Sequence, residues 1–201
     1  LDALAGCMRT TWECVRAVRS EAQLAEGTIQ MLINILIGSL GGLLENGIHK
    51  VDLLNWFGGE LQSVSAEMGS FSGREDWEDY AVILPRYASG VFGTMRWGPF
   101  MGARGNNGTF LDGTRGSLRL DIGADTVYRR LLGEKEWTAV EPPDKRADGV
   151  VKELTHFVQC AATGAPCRVD GRDGRRAVEF ALASYEAARR GARVTLPLEQ
   201  G

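Results

Sequence analysis

The sequence predicts an α+β domain: an open, largely antiparallel sheet with helices on one face. Three observations predict it. The element signals run helix, strand, helix, a series of strands, two helices and a last strand, and strands grouped before helices belong to α+β layers. Between residues 61 and 141, apolar and polar residues alternate in short runs bounded by turn residues. Glycine is high, at 26 of 201 residues against the usual ~7%, so many sharp turns are expected.

Residues 11–26 read as a helix with Val15, Val18, Ala22 and Ala25 on one face, stopped by Gly27. Residues 28–37 read as a buried strand of Ile and Leu. Residues 42–57 read as a second helix, ended by Gly58 and Gly59. Strands are predicted at 61–68, 79–85 and 90–97, with Pro85 to Gly90 connecting the last two. Asn107-Gly108 is a hairpin signal, and 115–122, 125–132 and 135–141 read as a meander. A polar loop at 142–149 precedes two helices. At 149–163 the apolar face is Val150, Leu154, Phe157, Val158 and Ala161, and at 174–190 it is Val178, Ala181, Leu182 and Tyr185. Gly164 and Gly191 end them, Asp173 is the expected N-cap of the second, and residues 193–198 close the chain as a strand. The sheet face away from the helices is expected to be solvated or covered by another subunit. The small and polar residues of 61–68 fit either.

A net charge of -3 and a pI near 5.5 argue against nucleic acid or an anionic membrane as a partner. Residues 28–44 carry no charge, but Gln30, Asn34 and three glycines interrupt a run already short of the ~20 apolar residues of a membrane span. Cys7, Cys14, Cys160 and Cys167 lack zinc-site spacing, and only His49 and His156 are present to complete a metal site, so none is expected. With no secretory signal, the thiols are expected to be reduced and the chain cytoplasmic. The first residue is not Met, so the chain is expected to begin inside a longer protein. Gly41-Gly42 is not followed by the Lys-Ser or Lys-Thr of a phosphate-binding loop, and residues 170–174 read as a helix entry, not a calcium loop. Arg96, Arg104 and Arg115 read as solvated hairpin residues, His156 as a surface residue and Trp56 as core.

One segment carries chemistry. At ~100° per residue, Glu45, His49, Asp52 and Trp56 fall within about 60° of one helix face, while Leu43, Leu44, Ile48, Val51, Leu53, Leu54 and Phe57 occupy the rest. A helix apolar almost all round is a buried one, and charged groups on it must be satisfied by each other, by solvent in a cleft, or by a ligand. Two readings stand side by side. Glu45, His49 and Asp52 form an internally paired cluster at i,i+4 and i,i+3 spacing. Alternatively they form a proton-transfer group, a histidine that titrates near neutrality with carboxylates to orient it.

The segment GGLLENGIHKVDLLNWFGG resembles the signature of the Gfo/Idh/MocA family of oxidoreductases, roughly G-G-x-x-x-D-x-G-x-H-x-x-D-x-x-x-W. SGVFGTMRW, GTRGSLRLD and DGRDGRRAVEFALASYEAARRGARVTLPL resemble later family segments in the same order. The resemblance covers nearly all of residues 28–201. It implies the C-terminal α+β domain of a two-domain dehydrogenase, which lines the substrate pocket and forms an oligomer interface, with residues 1–27 as the tail of a Rossmann-like domain and its connecting helix. It implies an NAD- or NADP-dependent enzyme acting on a sugar, polyol or related hydroxyl compound. His49 matches the catalytic histidine and Asp52 the second acidic residue, in a supporting role. Glu45 stands where the family usually has Asp. Residues 1–10 look like the last Rossmann strand, which makes Arg9 a cofactor-side candidate. No G-x-G-x-x-G lies in the chain and the family's E-K-P lysine has no match, so the main cofactor site is expected outside it and the chain alone is expected to be inactive. The alternative function is a non-catalytic, homo-oligomeric binding or scaffolding module.

Overall fold

A computed structural model of the chain describes residues 41–73, 77–98, 108–121, 126–140 and 149–198. The predicted helix at 11–26, the strand at 28–37, Arg9, Cys7, Cys14, Arg104, Asn107 and the loop at 142–148 lie outside them. The described residues form two compact units, one up to Gly98 and again from Gly171, the other within Pro99–Asp170.

In the first unit, a π-helical turn at Leu43–Gly47 runs directly into an α-helix at Ile48–Gly58, together α1. Strands β1 (Leu61–Gly69), β2 (Tyr80–Tyr87) and β3 (Met95–Trp97) follow. The long helix α3 (Gly171–Arg190) and β8 (Val194–Thr195) complete it. The sheet order is β3-β2-β1-β8, antiparallel throughout. The register places Val64 opposite Pro85 and Val194, Ala66 opposite Ile83, and Ile83 opposite Met95. These side chains share the face that meets the helices. Ala177, Phe180, Ala181, Ala183, Ser184 and Ala187 are the buried residues of α3. Their small size lets the helix backbone lie close to the sheet, with Phe180 filling the space between. Leu43 and Val51 of α1 join the same core. Ser184 is buried but satisfied, its hydroxyl donating to the Phe180 carbonyl at 2.9 Å.

β2 runs through Pro85 to Tyr87, two residues past the predicted end. A strand residue points its N–H and C=O to the same side. The Pro85 carbonyl accepts from Gly93 N–H at 3.2 Å, so its missing N–H lies on the β3 side, beyond the end of β3, and Pro85 keeps its place opposite Val64 in the β1–β2 ladder, whose register shifts only further on, between Leu61 and Ser63. The predicted strand at 90–97 is correspondingly shorter. Only Met95–Trp97 pairs regularly, with one isolated bridge between Arg86 and Phe92.

The second unit holds β4 (Thr109–Gly113), β5 (Gly116–Asp121), β6 (Thr126–Leu131) and β7 (Thr138–Val140) in a meander of order β4-β5-β6-β7, and the helix α2 (Gly149–Thr163). The predicted meander is present, with β4 added in front of it. On one face of this sheet Phe110, Arg119 and Tyr128 are cross-strand neighbours. The Arg119 guanidinium lies 4.2 Å from the Tyr128 ring centroid, and that of Arg130 lies 4.7 Å from the Trp137 ring, distances at which a cation is held by the ring quadrupole. The predicted apolar face of α2 is present as a stripe, but Leu154, Phe157, Val158 and Ala161 are exposed; the Val150 side chain lies outside those described. Asp173 is not a cap: it lies in the first turn of α3, where its carboxylate pairs with Arg176.

Candidate functional site

The site is built on the start of α1, where no local side chain caps the helix. The cap comes from elsewhere. Glu78, just before β2, accepts the Leu43 N–H through Oε1 at 2.6 Å, and the same oxygen accepts the Tyr185 hydroxyl of α3 at 2.6 Å. A carboxylate here meets both the unpaired amide and the positive end of the helix dipole. Gly41 and Gly42 make the approach possible. Gly41 has φ +99°, and a Cβ there would stand 2.5 Å from the Tyr185 hydroxyl and 2.6 Å from Glu78 Oε2, while a Cβ on Gly42 would run into the Trp97 ring. The glycine pair serves close packing, not a phosphate cradle. Burial, then the hydrogen bond to Glu78, push the Tyr185 phenol well above its ordinary range.

Glu45 sits in the middle of the π-helical turn, its N–H bonded to the Gly41 carbonyl at 3.0 Å. A π turn takes one more residue per hydrogen-bonded loop than an α turn and occurs often at functional sites. It shifts Glu45 out of the ideal 100° phase relative to the residues that follow. The outcome is visible in burial. His49, Asp52 and Trp56 are exposed along one stripe, while Glu45 is half-buried beside it. Leu43, Gly47, Val51 and Gly58 form the buried stripe opposite. The expectation of a helix buried all round is corrected here: α1 has one covered face only. Trp56, expected in the core, is 77% exposed and tilted against Phe57 at 5.1 Å between ring centroids. Among the described residues, no hydrogen bond or ion pair joins Glu45, His49 and Asp52 to one another.

Sequence reasoning missed Glu78 and Tyr185. They lie 35 residues from Leu43 and 107 residues from Glu78 respectively, so no helix or strand period connects them to the site. Arg96 and Arg115 are exposed, as expected for hairpin residues. His156, expected on the surface, is half-buried and accepts the Arg168 N–H on Nε2 at 3.1 Å. Among the described residues no group of three or more His, Cys, Asp or Glu side chains is placed to hold a metal, and no helix is long and apolar enough to cross a membrane.

No curated protein matches the chain. Solved structures do. The WlbA dehydrogenase of Bordetella pertussis, in complex with NADH and UDP-GlcNAcA, is 24% identical with a TM-score of 0.60, over 79% of this chain and 46% of that one. The aldose-aldose oxidoreductase of Caulobacter crescentus, complexed with glycerol, is 23% identical with a TM-score of 0.66, over 78% and 48%. Levoglucosan dehydrogenase, complexed with NADH and levoglucosan, is 19% identical with a TM-score of 0.65, over 77% and 50%. The chain thus spans about half the length of the structures it matches, and at these identities the likeness is one of fold. Residues 39–196 match the family described as "Oxidoreductase family, C-terminal alpha/beta domain", a span holding α1, both sheets, α2 and α3, and on that match the chain belongs to the Gfo/Idh/MocA oxidoreductase family.

Proposed function

We propose that the chain is the substrate-facing half of a nicotinamide-dependent oxidoreductase acting on a hydroxyl carbon of a sugar, polyol or related compound, working in the cytoplasm. The observation that carries this is the exposed stripe of His49 and Asp52, with Glu45 half-buried beside it, on the first described helix of a dehydrogenase-family domain. A histidine held open to solvent on an otherwise anchored helix is available to a substrate.

The described residues do not themselves fit a dinucleotide. Its phosphates need free amides at a helix start, and at Gly41–Gly42 the Glu78 carboxylate already takes the Leu43 amide. In this proposal NAD or NADP is held by a dinucleotide-binding domain of which residues 1–27, with Arg9, are the tail, and residues 28–201 form the second domain. The cofactor supplies the hydride chemistry when bound. This chain supplies proton transfer: the His49 imidazole takes the proton of the substrate hydroxyl and returns it in reverse, with Asp52 on the same stripe and Glu45 beside it as supporting carboxylates. Neighbouring structures hold NADH, glycerol, levoglucosan and a UDP-sugar acid, which supports the cofactor and substrate classes.

The proposal includes self-association through the open face of the β3-β2-β1-β8 sheet. There Glu67, Val82 and Arg96 form one cross-strand row, acid, apolar and base, and Leu84 is 48% exposed. A row with opposite charges at its two ends is complementary to itself about a two-fold axis.

The test is His49→Ala in the protein that carries both domains, assayed with NAD and NADP against a panel of polyols and sugars. Turnover is expected to fall roughly 10²–10⁴-fold with cofactor affinity unchanged. Unchanged turnover removes His49 from the mechanism. Failure of the unaltered protein to turn over any hydroxyl substrate puts the non-catalytic scaffold ahead.

A further inference from the structure

We infer that Cys160 and Cys167 are a redox-active thiol pair that closes reversibly to an intrachain disulfide, strapping the turn after α2 to the helix end. The inference is independent of the proposed oxidoreductase activity and uses none of its residues.

The geometry is built by the end of α2. Gly164, at φ +72°, reverses the chain and its N–H closes on the Cys160 carbonyl at 2.9 Å. Residues 165–168 are thereby folded back along the last turn. The Pro166 carbonyl accepts the Cys160 thiol at 3.6 Å, and Arg168 N–H donates to His156 Nε2 at 3.1 Å. Because Nε2 accepts, the neutral ring carries its hydrogen on Nδ1, and Cys160 Sγ lies 3.8 Å from Nδ1 and 3.6 Å from Nε2. His156, one turn before Cys160, therefore pins the returning strand beside the sulfur. Cys167 is thereby held between two fixed neighbours, the Pro166 carbonyl against the Cys160 sulfur and the Arg168 amide against the His156 ring that touches it. Both thiols are free, Cys160 buried and Cys167 half-buried. The entropy of closing the loop between them is already lost in the folded thiol form.

Burial pushes the Cys160 thiol up, and at 6% exposure it is shielded from oxidant. Cys167 is the accessible partner. With hydrogen peroxide as oxidant, the Cys167 sulfur attacks one peroxide oxygen; the S–O bond forms, the O–O bond breaks and water leaves with the thiol proton. The Cys160 sulfur then attacks the sulfenic sulfur; the S–S bond forms, the S–O bond breaks and a second water leaves with the Cys160 proton. Two thiols and one peroxide give one disulfide and two waters, a two-electron change. A dithiol reductant reverses it by exchange.

The experiment uses the chain with Cys7→Ser and Cys14→Ser, so that only this pair can react. On adding hydrogen peroxide, intact mass is expected to fall by about 2 Da. A non-reducing digest should yield the peptide linking Cys160 to Cys167, and dithiothreitol should restore both thiols. The folded chain should close at least roughly 10-fold faster than the same chain in urea, since only the fold pre-aligns the sulfurs. His156→Ala, which frees Arg168, should erase most of that advantage without changing the rate in urea. Equal rates folded and unfolded overturn the proposal. So does accumulation of sulfinic acid at Cys167 without the linked peptide, or two alkylatable thiols after peroxide treatment.

Discussion

Tyr185 donates its hydroxyl hydrogen to Glu78 at 2.6 Å, and the oxygen that receives it also receives the Leu43 amide. The helix bearing His49 is thus tied at its first residue to the last long helix. Tyr185→Phe removes one charge-assisted bond and should cost about 1.5–3 kcal/mol, read from urea denaturation. Glu78→Ala leaves two donors unpaired and should cost more. A double-mutant cycle should show the two losses to be non-additive. Additive losses would mean that the two side chains act separately.

Core and rim of the helical layer should respond very unequally. Phe180 is fully buried between α3 and the sheet, so Phe180→Ala should cost about 3–5 kcal/mol. Trp56, although larger, is mostly exposed, so Trp56→Ala should change stability by no more than about 0.5 kcal/mol. Thermal melts of both variants check this. A large loss at Trp56 would place it in a packed core after all.

Glu186 supplies a pH signature. Arg189, by hydrogen bond, and Arg190 beside it hold its carboxyl down to about 2 from an ordinary 4.5. A carboxyl depressed by folding stabilises the fold fully above pH 4.5, and that stabilisation is lost as pH falls from 4.5 through 2. The Tm gap between the native chain and Glu186→Gln should therefore be widest at neutral pH and close over that window. A gap that widens toward pH 2 would contradict the pairing seen with Arg189 and Arg190.

Residues 1–201 alone should not bind NADH tightly, because no G-x-G-x-x-G lies in them and the helix start at Gly41–Gly42 is filled by Glu78. Titration of NADH fluorescence with the chain measures this directly. Micromolar affinity would reveal a nucleotide site that the described residues do not explain.

The open face of the first sheet should hold copies together. Leu84→Lys places a charge at its exposed apolar position without touching the core face. Sedimentation should show the native chain as an oligomer and the variant shifted toward monomer. A native chain that stays monomeric at micromolar concentration would rule out self-association through this face.

What was legible in the sequence was what local periodicity encodes. Alternation located β5, β6 and β7, but the face expected of α3, Val178, Ala181, Leu182 and Tyr185, is only half-buried apart from Ala181, and the covered side is centred on Ala177, Phe180, Ala181, Ser184 and Ala187, because small residues that let the helix lie close to the sheet carry a weak apolar signal. β4 was hidden because glycines before and within it mask a strand that exists by pairing with β5. β2 outran its proline because only the register reveals which side the missing N–H faces. The helix at 42–57 was placed correctly, but its environment was not. Apolar residues fill most of its circumference around the polar stripe, and the sequence does not say how much of that circumference meets the sheet. The exposed pair His49 and Asp52 was readable because residue types and spacing coincide, whereas the π-helical turn that sets Glu45 beside them has no signal in the spacing. The anchor of the helix was not readable, because Glu78 and Tyr185 reach it only through the tertiary fold.

The span between Glu78 and Tyr185 has a consequence for how the protein is made. The 107 residues separating them take roughly 5–20 s to translate. For that interval Glu78 can cap the start of α1 but has no Tyr185 to hold it in place, and Gly41 and Gly42 favour disorder there. The helix carrying His49 is therefore an early product of the ribosome and a late participant in folding.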